Sequence, residues 1–139
     1  MIQRCYMGIP EKVRQIENPD SREFIELWDE RGMQGITYTI ETDEGEVMGY
    51  SLLEIKGEQD YYNCRGFYSN PKFRGQRIGT KVLQKCLHFT DDLEQGCWGN
   101  IVDGSPSANI LVREGFEPVE RRTDVANCTK LFKPYKSHD

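Results

Sequence analysis

Residues 67–87, FYSNPKFRGQRIGTKVLQKCL, decide how the rest of the chain is read. They run from the end of a strand through a basic, glycine-punctuated loop into an amphipathic helix. Pro71 has no N–H to give to a sheet ladder, so the strand through Tyr68 is predicted to stop close to it. Further on, Ile78, Val82, Leu83, Cys86 and Leu87 recur at helical spacing, and this apolar stripe is predicted to pack on a sheet. The entrance to such a helix offers unpaired N–H groups and the positive end of the helix dipole. Gly75 and Gly79 let the backbone bend and approach a ligand closely. Lys72, Arg74, Arg77 and Lys81 add formal positive charge. Together these features suit a phosphate.

Upstream, the period of the pattern is two. Ile36, Tyr38 and Ile40 alternate with Thr37, Thr39 and Glu41, and Asp43-Glu44-Gly45 forms a turn. Residues 47–55 are more uniformly apolar, as a central strand would be. A second turn over 56–60 leads to a third strand over 61–69. Nearer the start, 2–7 reads as a short strand and 10–16 as a helical turn with Pro10 at its first position. A longer helix follows Asn18-Pro19-Asp20. Asp20 and Glu23 have capping-box spacing, Phe24, Leu27 and Trp28 share one face, and Gly32 and Gly35 close the segment. Downstream of the central helix, 97–102 reads as a strand. Ser105 and Pro106 begin a short helix that Gly115 ends, and two strands follow over 116–122 and 125–132. Strand, helix and strand in succession through the loop imply a parallel pair within a mixed sheet. The expectation is one α/β (α+β) domain over 1–139, with helices flanking a central sheet and 1–8 and 134–139 peripheral or frayed.

Composition narrows the classes of function. The chain has 139 residues, enough for one core, and 37% hydrophobic with 29% charged residues is ordinary for a globular protein. Its 18 Lys+Arg against 23 Asp+Glu give a net charge of −5, which argues against nonspecific nucleic-acid binding. The five cysteines, Cys5, Cys64, Cys86, Cys97 and Cys128, are odd in number, scattered, and contain no C-x-x-C pair. Neither a disulfide framework nor a zinc site is expected, and no other metal. Without a long apolar run or a signal-peptide core, no membrane span is expected and the cytoplasm is the expected location.

The order strand, Pro-x-x-Arg-Gly-x-x-Ile-Gly, helix resembles the acyl-CoA loop of the GNAT N-acyltransferase superfamily, written Q/R-x-x-G-x-G/A. Arg74 stands at its first place and Gly79 at its last, while Arg77 stands where the middle glycine is usual. Residues 108–116, ANILVREGF, resemble the family's later helix, which ends in Gly-Phe. The resemblance implies a GNAT-like mixed sheet and a donor, acetyl-CoA, whose pyrophosphate is cradled by backbone N–H groups of Gln76, Arg77, Ile78, Gly79 and Thr80, with Arg74 and Gly75 shaping the loop. It also implies a gap beside the strand ending at Ser69, where pantetheine lies alongside: Phe67, Tyr68 and Ser69 are the expected donor-binding residues there, with the main chain of Phe67 and Ser69 making the contacts. The region around Trp28 and Met33 would wall the acceptor site.

Proton transfer has no clear owner. The tyrosine that many relatives carry five residues before the Phe of Gly-Phe falls here on Leu111, and the family's asparagine falls on Gly104. Ser105, Ser107 or Asn109 could hold a water or touch the donor, although capping accounts for the serines. Glu54, Asp60 and Tyr62 are candidate bases, with solvated strand ends as the competing reading. The expected activity is acetyl transfer from acetyl-CoA to a primary amine of a small molecule or protein. The alternative is a catalytically weak acyl-CoA-binding module of the same fold that acts through a protein partner. The final strands offer an edge through which a homodimer could form.

Overall fold

Among the described residues the period-two segments resolve into seven strands: β1 (Ile2–Met7), β2 (Gln34–Glu41), β3 (Val47–Ile55), β4 (Tyr62–Ser69), β5 (Cys97–Val102), β6 (Glu117–Arg121) and β7 (Cys128–Lys133). Among the described residues four α-helices accompany them: α1 (Glu11–Arg14), α2 (Pro19–Arg31), α3 (Ile78–Asp92) and α4 (Pro106–Arg113). The structure is a computed structural model that describes all residues except 33, 56–61, 103–105, 122–127 and 136–139. The expected turn over 56–60, the Ser105 cap and the tail therefore lie outside the described residues.

The strands form one sheet in the order β1-β2-β3-β4-β5-β7-β6. All neighbours are antiparallel except β4 and β5, the pair joined through α3. This is the mixed sheet expected from the strand–helix–strand passage. The last strand in sequence inserts between β5 and β6. The outer edge falls to β6, where Pro118 and a register shift next to it interrupt the ladder.

Helix α3 buries the stripe read from its sequence: Ile78, Val82, Leu83, Cys86 and Leu87 are all buried. Leu83, Cys86 and Leu87 join Ile36, Leu53, Cys97, Leu111, Phe116 and Leu131 in one cluster, while Ile78 and Val82 pack with Ile40 and Met48. A hydrogen bond from Ser51 Oγ to the Val82 carbonyl (2.9 Å) ties β3 to this helix. On the opposite face of the sheet, Val13, Trp28, Val47, Tyr50 and Leu52 form the core under α1 and α2. Helix α2 starts one residue before the expected Asp20 cap. Asn18 is its N-cap and Pro19 takes the first position, for which its fixed φ is suited, so Asp20 lies inside the first turn.

The polar half of β2 is buried, covered by α1 and β1. Glu41 is 1% exposed and accepts hydrogen bonds from Lys12 Nζ (2.6 Å), Thr39 Oγ1 (2.6 Å) and Tyr6 Oη (2.7 Å). Burial opposes ionisation of this carboxyl. Hydrogen bonds from Lys12, Thr39 and Tyr6 outweigh it and hold the pKa below the ordinary value, while Glu41 raises that of Lys12. The stabilisation is therefore present above the ordinary carboxylate pKa of about 4.3 and is lost as the pH falls through the lowered one. Replacing Glu41 by Ala strands three donors and leaves Lys12 unpaired. The expected loss is on the order of 3 kcal/mol by denaturant unfolding at neutral pH, shrinking at acid pH.

Candidate active site

β4 has one satisfied edge and one that opens. Its parallel ladder with β5 contains three pairs, Tyr62↔Cys97, Asn63↔Trp98 and Cys64↔Gly99, and then ends. The next stretch of β5, from Asn100 to Val102, stays paired with β7, so the two parallel strands part from each other. At the same level the β3 register shifts: Ser51 faces Phe67, but Leu52 faces Arg65. Gly66 is thus the extra residue of a bulge, which bends a strand and increases its twist.

Main-chain alternation then decides which groups face the opening. The N–H of Asn70 donates to the Met48 carbonyl of β3 at 2.8 Å. Successive residues of a strand direct their N–H and C=O groups to alternate edges, so those of Ser69 and Phe67 point away from β3 toward the opening. These are the two residues whose main chain was expected to lie beside pantetheine.

The loop that continues from β4 is fastened before it reaches α3. Asn70 caps a 3-10 turn, Pro71–Phe73, by accepting from the Lys72 N–H (3.0 Å), and its Nδ2 donates to the Val47 carbonyl (3.3 Å). Lys72 Nζ lies 3.1 Å from Glu46 Oε2, so its charge is committed to β3's turn. Arg74, Gly75, Gln76 and Arg77 are exposed. Arg74 and Arg77 have no carboxylate partner among the described residues. Gly75 has φ +85°, and Arg77, at the N-cap of α3, has φ 55° and ψ 37°. The Arg77 carbonyl accepts the first helical hydrogen bond, from the Lys81 N–H at 3.0 Å. The position where the motif usually has glycine is therefore left-handed, and arginine occupies it with strain. Left-handed residues leading into a right-handed helix make a concave nest of N–H groups, and an anion fits it.

Ile78 sends its side chain into the core at 1% exposure, so only its main chain is available to a ligand, and Gly79 is likewise buried. Thr80 is half-buried and Asn109 exposed. Tyr68 points its ring to the face opposite α3, against Tyr50. Glu54 is 7% exposed on β3, opposite Asn63, beside the closed part of the β4–β5 ladder rather than at the loop. Tyr62 belongs to that closed part, and Ser107 is in the first turn of α4. Asp60, Gly104 and Met33 lie outside the described residues. Trp28 is 5% exposed and packs over Gly35, as a core residue does. Leu111 is 2% exposed, within the cluster under β5. Among the described residues no group of His, Cys, Asp and Glu has the arrangement of a metal site.

Two residues escaped the sequence reading. Gly66 stands in mid-strand, a pattern that signals a bulge. Asn70 precedes Pro71, a pattern for turn initiation, but its bonds to β3 have no local signal.

With this geometry in view, the chain can be placed. Residues 3–109 match the model of the acetyltransferase (GNAT) family, and the chain belongs to that family. Solved structures share the fold at low identity. The IAA acetyltransferase from Bacillus cereus has a TM-score of 0.68 at 14% identity, covering 95% of this chain and 99% of its own. The ribosomal-protein-S18-alanine N-acetyltransferase from Escherichia coli gives 0.67 at 11%, covering 99% and 97%. A chain of the NatC complex bound to Gag peptide and CoA gives 0.64 at 14%, covering 98% and 100%. Among curated protein sequences none matches.

Two substitutions test the architecture. Arg77→Gly relieves the left-handed strain but adds unfolded-chain entropy, and a net gain of about 0.5–1 kcal/mol is expected in thermal unfolding. Gly49, opposite Ser69, has room only for hydrogen: a methyl there collides with Ile78 Cγ2 and lies 2.7 Å from the Tyr68 carbonyl oxygen. Gly49→Ala should cost roughly 1–3 kcal/mol in denaturant unfolding through displacement of the start of α3.

Proposed function

We propose that the protein is an N-acetyltransferase that passes an acetyl group from acetyl-CoA directly to a primary amine. The observation that carries this reading is the continuity of two features: the opened edge of β4 leads straight into the N–H nest at the start of α3. The residues present fit the donor. An extended pantetheine arm matches the outward main-chain groups of Phe67 and Ser69, and a diphosphate matches the nest from Gln76 to Thr80, with Arg74 free to add charge. Acetyl-CoA supplies a thioester, from which amide formation makes a C–N bond and releases a thiol. The chain's share is to hold the donor extended, to offer main-chain N–H groups near the carbonyl, and to orient the amine.

The proton lost by the amine has no assigned side chain. Leu111, at the place of the relatives' tyrosine, is hydrocarbon packed in the core. That observation favours a second reading, a catalytically weak acyl-CoA-binding module acting through a protein partner. Catalysis without a side-chain acid is nonetheless feasible, because a thiol with pKa about 8.5 leaves readily near neutral pH. The proposed setting is the cytoplasm, in keeping with the free thiols of Cys5, Cys86 and Cys97.

Calorimetric titration with acetyl-CoA and desulfo-CoA, together with thiol release over a panel of amines, tests the reading. Saturable binding that weakens about tenfold in Arg74→Ala, with amine-dependent release, is the expected result. Binding without release for any amine would favour the module, and absence of binding would refute acyl-CoA use altogether.

A further inference from the structure

The opened edge of β4 has two faces, and they differ. Gly49 and Ser69 are paired, and the direction of a Gly49 side chain leads to Ile78, so this face belongs to α3 and the donor loop. Tyr68, between Phe67 and Ser69, faces the other way, toward α1 and α2. Its ring lies 5.3 Å from that of Tyr50, centroid to centroid, with 33° between the planes. Tyr50 is fully buried, and its hydroxyl accepts from Asn18 Nδ2 at 3.2 Å, at the junction of α1 and α2. Tyr68 reaches the surface while Tyr50 and Trp28 do not. Its hydroxyl forms no hydrogen bond among the described residues.

We propose that Tyr68 positions the acceptor: its phenol, on the α1/α2 face of the opened edge, receives the primary amine that attacks the thioester. This inference rests on the acyltransfer reading above. With α3 and the donor loop on one face, the amine has the other as its approach. Tyr68 is the side chain between the two residues whose main chain faces the opening. A phenolic oxygen can accept a hydrogen bond from an amine N–H, which orients the nitrogen, and its ring face attracts an ammonium group. The acceptor class is thus an alkyl primary amine that arrives as a cation. Tyr68, expected from the family resemblance among the donor-binding residues, is assigned here to the acceptor because its ring lies on the face opposite α3.

The absence of a hydrogen bond to the hydroxyl makes the test clean, because Tyr68→Phe removes a group on which the fold does not depend. Wild type and variant, each saturated with desulfo-CoA, are titrated by calorimetry with spermidine, lysine and a tripeptide with a free N-terminus. Thiol release from acetyl-CoA is followed with the same amines. The expected result is about fivefold weaker amine binding and a similar rise in the amine KM, with kcat less affected. Desulfo-CoA affinity and melting temperature should stay as in wild type. Unchanged amine binding and KM would overturn the assignment. A matching loss of desulfo-CoA affinity would also overturn it by moving Tyr68 to the donor. If wild type binds desulfo-CoA but neither binds nor acetylates any of the amines, the acyltransfer reading fails and takes this inference with it. Failure to bind desulfo-CoA at all would instead locate the error in the donor site.

Discussion

A strand has two hydrogen-bonding edges, and the structure follows from what happens to those of β4. One edge is committed to β3 as far as Asn70. The other has β5 for three pairs and then, among the described residues, no strand. Exposed main-chain polar groups in a sheet interior are costly unless water or a ligand satisfies them. The opening therefore leaves a row of main-chain groups whose satisfaction needs no particular side chain. It persists because the two strands are separately restrained beyond the fork, β4 by β3 and β5 by β7.

The loop at the end of the opening shows how charge and conformation are divided. Of its cations, Lys72 pairs with Glu46 beside the turn, while Arg74 and Arg77 have no such partner among the described residues. The strain at Arg77 is small beside the packing of Ile78, Val82 and Leu83, which hold α3 against the sheet. A well-buried helix can thus hold a strained N-cap at the surface. The same packing explains why Gly49 has no room for a side chain: the start of α3 rests directly on β3 there.

Much of this was legible in sequence because it is local and periodic. The stripe from Ile78 to Leu87, the alternation in β2 and the stop at Pro71 each state a surface and its partner phase. The family resemblance, carried by Arg74, Gly75, Ile78 and Gly79, foretold the opening beside Ser69. What stayed hidden depends on distant pairing. Nothing near Glu41 says that Tyr6 and Lys12 will cover it, and nothing near Lys72 says that Glu46 will take its charge. The insertion of β7 between β5 and β6 is equally invisible locally. The bulge at Gly66 left one weak sign, a glycine within an apolar strand. Leu111 could be aligned with a tyrosine by counting, but its burial among core side chains became visible only in the fold. For Tyr68 the telling feature is three-dimensional: a hydroxyl that makes no hydrogen bond among the described residues.

The strand order also has a consequence in time. From β1 to β4 each strand pairs with its successor in the chain, so this half of the sheet can zip together as the polypeptide leaves the ribosome. The other half cannot do so. β5 emerges with a short grip on β4, and its remaining edge has to wait for β7, which follows α4 and β6 in the chain. Until then an apolar strand stands with an open edge, which exposes the nascent chain to mispairing. The fork at the candidate site is therefore completed only once β7 captures its second arm, and until then the finished loop before α3 stands beside an unfinished cleft.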